Sequence, residues 1–148
     1  MTTVHALLLP VGDDLYALPM DSVREVVSAP AVTRLVTAPP NVLGLFNLRG
    51  QIVALFDTAE LLGTGTIGTA AFAVVVNSPE GPAGLAATGL PQRGILGEPV
   101  GESELPGTNG QFHVDKHVAV LLDPVSLLTP ERVGGQEFRA EQAPFAVR

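Results

Sequence analysis

The sequence predicts a mainly β protein made of two pseudo-equivalent lobes, and three observations lead there. Short apolar runs follow one another along most of the chain, separated by turn residues. Sixteen glycines and thirteen prolines in 148 residues supply those turns. One strand-plus-helix pattern also occurs twice, "IVALFDTAELL" from Ile52 and "VAVLLDPVSLL" from Val118, with four identities in eleven at an offset of 66. A weaker pair, "LLLPVGDDLYAL" from Leu7 and "VVVNSPEGPAGL" from Val74, repeats at an offset of 67. Two near-equal offsets indicate a duplicated unit of strands ending in a short helix.

The elements follow in order. "VHALLLPV" and "LYALPM" are apolar runs divided by "GDD", and "VREVVS" comes next, ended by "AP". "VLGLFNLRG" and "QIVALFD" meet at Arg49-Gly50. "DTAELLG" reads as a helix of barely two turns, with Asp57 as its N-cap and Glu60 three residues on, the capping-box pattern. "AAFAVVVN" and "AGLAAT" are strands around the turn "SPEGP". "FHV" and "HVAVLLD" form a hairpin about Asp115-Lys116, and "DPVSLLTPE" is a second helix, Asp123 at the N-cap and Pro124 at the first helical position. From about Gly134 the apolar periodicity is lost, which predicts a loose tail.

Composition narrows the function. The chain is 46% hydrophobic and 16% charged, with a net charge of −7. A chain of this length buries about two-thirds of its unfolded surface, so a substantial core is expected. Lys116 is the single lysine, and seven arginines are scattered from Arg24 to Arg148, so no basic patch favours nucleic acid or an anionic membrane. Without cysteine there is no disulfide framework and no thiolate chemistry. No apolar run has the length of a membrane span, and the N-terminal residues lack a positive n-region, which predicts a cytoplasmic protein without direct membrane insertion.

Two motifs suggest chemistry and each has a plainer reading. Gly63, Gly65 and Gly68 have the spacing G-x-G-x-x-G, but a dinucleotide loop needs a strand before the glycines and a helix after them. Here the helix comes first, so the glycines read as a linker. His113, Asp115 and His117 would line one strand as metal ligands only if no turn intervened; a turn at Asp115-Lys116 separates the histidines. The five serines fall in no G-x-S-x-G turn. No catalytic, cofactor or metal residues are assigned.

Ala38 to Gly63 stands apart, because a charged Arg49 interrupts an apolar stretch just before Gly50. In this segment Gly44, Asn47, Leu48, Arg49, Gly50, Ile52, Val53, Asp57 and Gly63 match the pattern of the CheW-like family, and the chain resembles that family of bacterial chemotaxis adapters from about Val4 to Pro130. "YALPMDSVREVV" resembles its second strand region, with Val23, Glu25 and Val26 in place, and "HVAVLLDPVSLL" its closing strand and helix. The chain departs from the pattern at Ala54, where the family has proline, and at "ATGL", where Thr88 and Gly89 replace two charges.

The resemblance implies two SH3-like five-stranded barrels on a shared core, in a CheW-like domain over residues 1–133. Lobes at roughly 4–62 and 71–128 would be linked by Gly63–Gly68, with a flexible tail at 134–148. It implies a non-enzymatic adapter without cofactor, whose partners are a chemoreceptor cytoplasmic tip and the regulatory domain of a CheA-type histidine kinase. The partner-binding candidates are Asn47, Arg49, Gly50, Val23, Val26 and Val27. Arg49 has two readings, a guanidinium folded onto carbonyls of its own loop or an interface anchor. The three valines are core or the wall of a helix-accepting groove. A specialised module serving another two-component or motility pathway is the alternative, and a small enzyme or nucleotide binder a further one.

Overall fold

The computed structural model describes residues 4–129. The expected tail at 134–148 lies outside them. Eleven strands and two short helices follow in the order β1 (Val4–Val11), β2 (Asp14–Pro19), β3 (Val23–Ser28), β4 (Val42–Leu48), β5 (Gln51–Phe56), α1 (Thr58–Leu62), β6 (Phe72–Ser78), β7 (Gly81–Ala87), β8 (Gln92–Leu96), β9 (Pro99–Gly101), β10 (Thr108–Val114), β11 (His117–Leu122) and α2 (Pro124–Leu127). A 3-10 turn at Met20–Ser22 joins β2 to β3. The sequence reading places no strand at β8 or β9, where glycine and proline mask the signal.

The strands form two sheets, one ordered β3-β6-β7-β5-β4 and the other β8-β1-β2-β11-β10-β9. Each closes on itself. In the second sheet the two ends, β8 and β9, are consecutive in the chain, and Gly97 and His113 join across the corner, the Gly97 amide donating to the His113 carbonyl at 2.7 Å. Counting β8 and β9 as one bent strand, this is a five-stranded barrel like the first. In the first sheet the chain beyond β3 bridges to β4 through paired Thr33 and Leu45, with backbone bonds of 2.7 and 2.8 Å. Closure leaves little unpaired edge.

The repeat units at 4–62 and 71–128 are each a hairpin followed by further strands and a helix, but neither closes a barrel alone. Hairpin β1–β2 of the first unit pairs with β8 and β11 of the second, and hairpin β6–β7 of the second pairs with β3 and β5 of the first. The exchange is symmetrical in register. Leu55 pairs with Gly84 in parallel, and Leu121, 66 residues after Leu55, pairs with Ala17, 67 residues before Gly84. Gly44 and Gly110 are also 66 apart and both sit at irregularities where the barrel-closing segment crosses. At Gly44 a Cβ would stand 2.3 Å from the Thr33 carbonyl oxygen, so only glycine fits.

Alternation along the strands divides the core into three. Leu7, Leu9, Tyr16 and Leu18 from one barrel meet Phe56, Val74, Val76 and Leu85 from the other, together with Leu62 and Leu127 from the helices. The opposite faces fill each barrel, with Phe46, Val53, Leu55 and Val75 in the first and Ala6, Ala17, Val114 and Ala119 in the second. Strands buried on both faces explain the near-continuous apolar runs of the sequence.

Candidate functional site

The Arg49-Gly50 turn is a two-residue hairpin loop, since Leu48 pairs with Gln51 on either side of it. Both turn residues have positive φ, +50° at Arg49 and +90° at Gly50, the pattern of a turn whose twist matches the strands. Positive φ is uncommon for arginine, so the loop must be held. Asn47 contributes: its Oδ1 accepts the Gly50 amide at 2.7 Å. The second hold comes from another strand. The Arg49 guanidinium donates to both carboxylate oxygens of Glu25 on β3, at 2.8 and 2.5 Å. This planar two-bond geometry is the strong form of the pair.

Neither reading of Arg49 anticipates this arrangement: the guanidinium leaves its own loop and reaches a side chain 24 residues away. The hydrogen bonds from Arg49, with its positive charge, hold the Glu25 carboxyl below the usual carboxylate range, and Glu25 in turn raises the guanidinium's pKa. The Arg49 side chain remains 70% exposed and that of Glu25 26%. The pair therefore sits at the surface, clamping the β4–β5 tip against β3.

β3 carries the three valines. A register irregularity between Val23 and Glu25 shifts the strand's facing. Val23 is partly buried against the inter-barrel core and Val27 against the interior of the first barrel. Val26 is 40% exposed. The structure thus brings Asn47, Arg49, Gly50 and β3 together, with Val23 and Val27 serving the cores and Val26 facing outward. What sequence reasoning missed is the role of Glu25 as the arginine's partner, although a lone carboxylate among valines is a visible signal.

The other motifs resolve as scaffold. Asp57 is fully buried, and its Oδ1 accepts the Glu60 amide at 3.1 Å as an N-cap. Its Oδ2 accepts the Ile67 amide at 3.0 Å, pinning the glycine segment. Glu60 does not complete a capping box within the described bonds; its carboxylate accepts the Thr66 hydroxyl instead. The segment reads as a linker by its order, helix before and strand after, and it is tied down at several points, with Arg34 also donating to the Gly68 carbonyl at 2.6 Å. Gly63 ends α1 in the left-handed conformation, φ +74°. Asp123 stands at the N-cap of α2 before Pro124, without a side-chain bond to the helix amides, and accepts the Ser126 hydroxyl at 2.9 Å. His113 and His117 fall on separate strands. Among the described residues no group of three or more histidine, aspartate or glutamate side chains is placed to hold a metal, and no helix is long and apolar enough to cross a membrane.

Two closed five-stranded barrels with exchanged hairpins and a shared core define a double-barrel β protein with its charged clamp on a surface. The chain belongs to the CheW-like domain family, which matches residues 5–132. A chemotaxis protein CheW from Helicobacter pylori is 42% identical over 47 residues, 32% of this chain and 28% of that protein's length. The aligned stretch thus covers well under two-thirds of that relative. Among solved structures, the scaffolding protein TtCheW from Thermoanaerobacter tengcongensis superposes with a TM-score of 0.74 at 20% identity, over 87% of this chain and 90% of that one. At that identity the likeness supports the fold.

Proposed function

We propose that this protein is a non-enzymatic, cytoplasmic adapter of a chemotaxis-type pathway, coupling the cytoplasmic tip of a chemoreceptor to the regulatory domain of a CheA-type histidine kinase. Membership of the CheW-like family supports the class. The observation that carries the site is the Arg49–Glu25 clamp, which joins the β4–β5 tip to β3 at the surface, while Val26, the next residue after Glu25, is exposed on the opposite face of the same strand. Asn47 and Gly50 hold the tip in shape, and the guanidinium of Arg49, though paired to Glu25, stays largely exposed. Val23 and Val27 act from beneath, fixing the strand that presents Val26. The departures at Thr88 and Gly89 favour a second reading, a specialised CheW-like module in another two-component or motility pathway, with the same surface and a different partner.

The test is charge reversal on purified protein, with capture of a CheA-type regulatory domain and of a receptor tip fragment measured by calorimetry. Arg49→Glu is expected to weaken capture by more than about a hundredfold, because attraction is lost and a like-charge contact appears. The melting temperature should fall modestly, since the pair is largely exposed but the substituted carboxylate faces Glu25, so capture is measured well below the variant's transition. Retained capture by the folded Arg49→Glu protein overturns the site assignment. The Glu25→Arg, Arg49→Glu double variant separates clamp from contact: recovery of binding means that the arginine only shapes the surface.

A further inference from the structure

The far barrel carries a second surface of opposite character. Asp115-Lys116, between β10 and β11, is 66 residues after Arg49-Gly50 and occupies the equivalent turn, and Asp115 has a matching φ of +52°. In the first barrel the turn's charge is neutralised by Glu25. In the second, Asp115 lines one groove of about 370 Å³ together with Asp13 of the β1–β2 turn, Asp14 at the start of β2 and His117. Among the described residues none of the three carboxylates is in a salt bridge. Arg93 lines an adjoining hollow with Asp115 without pairing to it.

The groove is not only acidic. Leu8, Pro10, Leu15 and Val114 form its floor, and Leu90 stands at its side with 58% of its surface exposed. Its walls are fixed. The Thr88 amide donates to the Pro10 carbonyl at 2.9 Å, and the Gly12 amide donates to the Thr88 hydroxyl at 2.8 Å. Gly89 lies against Pro10, where a Cβ would come within 3.3 Å, and the chain then turns Leu90 outward. Thr88, Gly89 and Leu90 belong to the "ATGL" stretch in which this chain departs from the family pattern, so the groove is built where the chain is individual.

We propose that this groove docks an extended segment of a partner protein in which lysine or arginine alternates with leucine, isoleucine or valine. Apolar side chains would cover Leu90 and the floor while the cations meet Asp13, Asp14 and Asp115. Charge complementarity selects this occupant. An anionic membrane is repelled by the three aspartates. Among its described residues a second copy of this chain could offer, besides the engaged Arg34 and Arg49, only the scattered cations Arg24, Arg93 and Lys116, not an alternating segment, and groove shifts that grow with protein concentration in the absence of peptide would overturn the proposal in its favour. The surface is separate from the Arg49 clamp, so the two assignments stand or fall apart.

The experiment titrates the full-length, isotope-labelled protein with a synthetic peptide alternating lysine and leucine, followed by amide chemical shifts. A peptide alternating glutamate and leucine is the control. Saturable shifts confined to residues 10–15, 88–92 and 114–117 are expected, weakening as salt rises from about 0.05 to about 0.5 M and screening tightens. Asp13→Asn with Asp115→Asn should lower affinity about tenfold, two exposed charge contacts being removed. Asparagine tolerates positive φ, so the Asp115 turn survives the change. Leu90→Ser should lower affinity about fivefold by uncovering the apolar wall. Equal binding of the glutamate peptide, shifts spread over the whole surface without saturation, or undiminished affinity in these variants overturns the proposal.

Discussion

Gly44→Ala is expected to be among the most destabilising single-methyl additions in the molecule. The new Cβ would lie 2.3 Å from the Thr33 oxygen, 2.7 Å from Val32 Cγ1 and 2.9 Å from the Thr33 carbonyl carbon. Backbone cannot yield as a flexible side-chain tip does, so the segment at 32–33 must retreat by about 1 Å to reach ordinary contact. That retreat breaks both Thr33–Leu45 backbone bonds, of 2.7 and 2.8 Å, which close the first barrel. Two hydrogen bonds lost beside a core are worth about 2–4 kcal/mol together. In a domain of this size 1 kcal/mol moves the melting temperature by about 3–5 °C, so a drop of about 10 °C is expected by calorimetry. Gly101→Ala is the control. It lies on the β9 segment with open space for 4 Å around the place a Cβ would take and no positive φ, so it should be neutral or slightly stabilising. A Gly44→Ala protein melting within about 2 °C of the parent would refute the closure argument.

Two other outcomes follow from the same structure. Asp57→Ala removes the acceptor of both the Glu60 and Ile67 amides, and should cost about 2–4 kcal/mol, with Asp57→Asn intermediate because one acceptor oxygen remains; urea unfolding reads both. The Glu25–Arg49 clamp gives a pH dependence whose sign is fixed: the folded carboxyl titrates below its unfolded value, so its stabilising contribution is full above the ordinary carboxylate range and is lost as pH falls through the lowered value. Carbon-detected titration of Glu25 should show a lowered midpoint that returns to normal in Arg49→Gln, and an unshifted midpoint in the parent would show that the pair does not persist in solution.

Much of the fold was legible in the sequence because its signals are local. Apolar runs between "GDD", "RG", "SPEGP" and "DK" mark strands wherever both faces are buried, and the recurrence of "IVALFDTAELL" as "VAVLLDPVSLL" marks the duplication. β8 and β9 escaped because "QRGILGEPVG" is largely exposed on a bent strand, so burial imposes no periodicity. The hairpin exchange escaped for a different reason. Local pattern fixes that β1 and β2 pair with each other, but their outer neighbours, β8 and β11, are set by packing between segments more than eighty residues apart.

The clamp belongs to that second kind of information. Arg49 was conspicuous because a charge before a tight glycine is a local anomaly, whereas Glu25 gains its role only when the chain beyond β3 crosses to β4 and closes the barrel. Thr33, which makes that crossing, does so through backbone alone and leaves no mark in side-chain chemistry; its trace in the sequence is Gly44, the residue that must lack a side chain for it to pass. Part of the motif is therefore scaffold and part is surface. Gly44 permits closure, closure brings β3 beside the β4–β5 tip, and Glu25 then holds Arg49 at positive φ with its guanidinium largely exposed. A partner that reads Arg49 reads the outcome of this sequence of constraints. On that argument, folded Gly44→Ala protein should retain the arginine yet bind less well, because the tip it stands on has lost its fixed distance from β3.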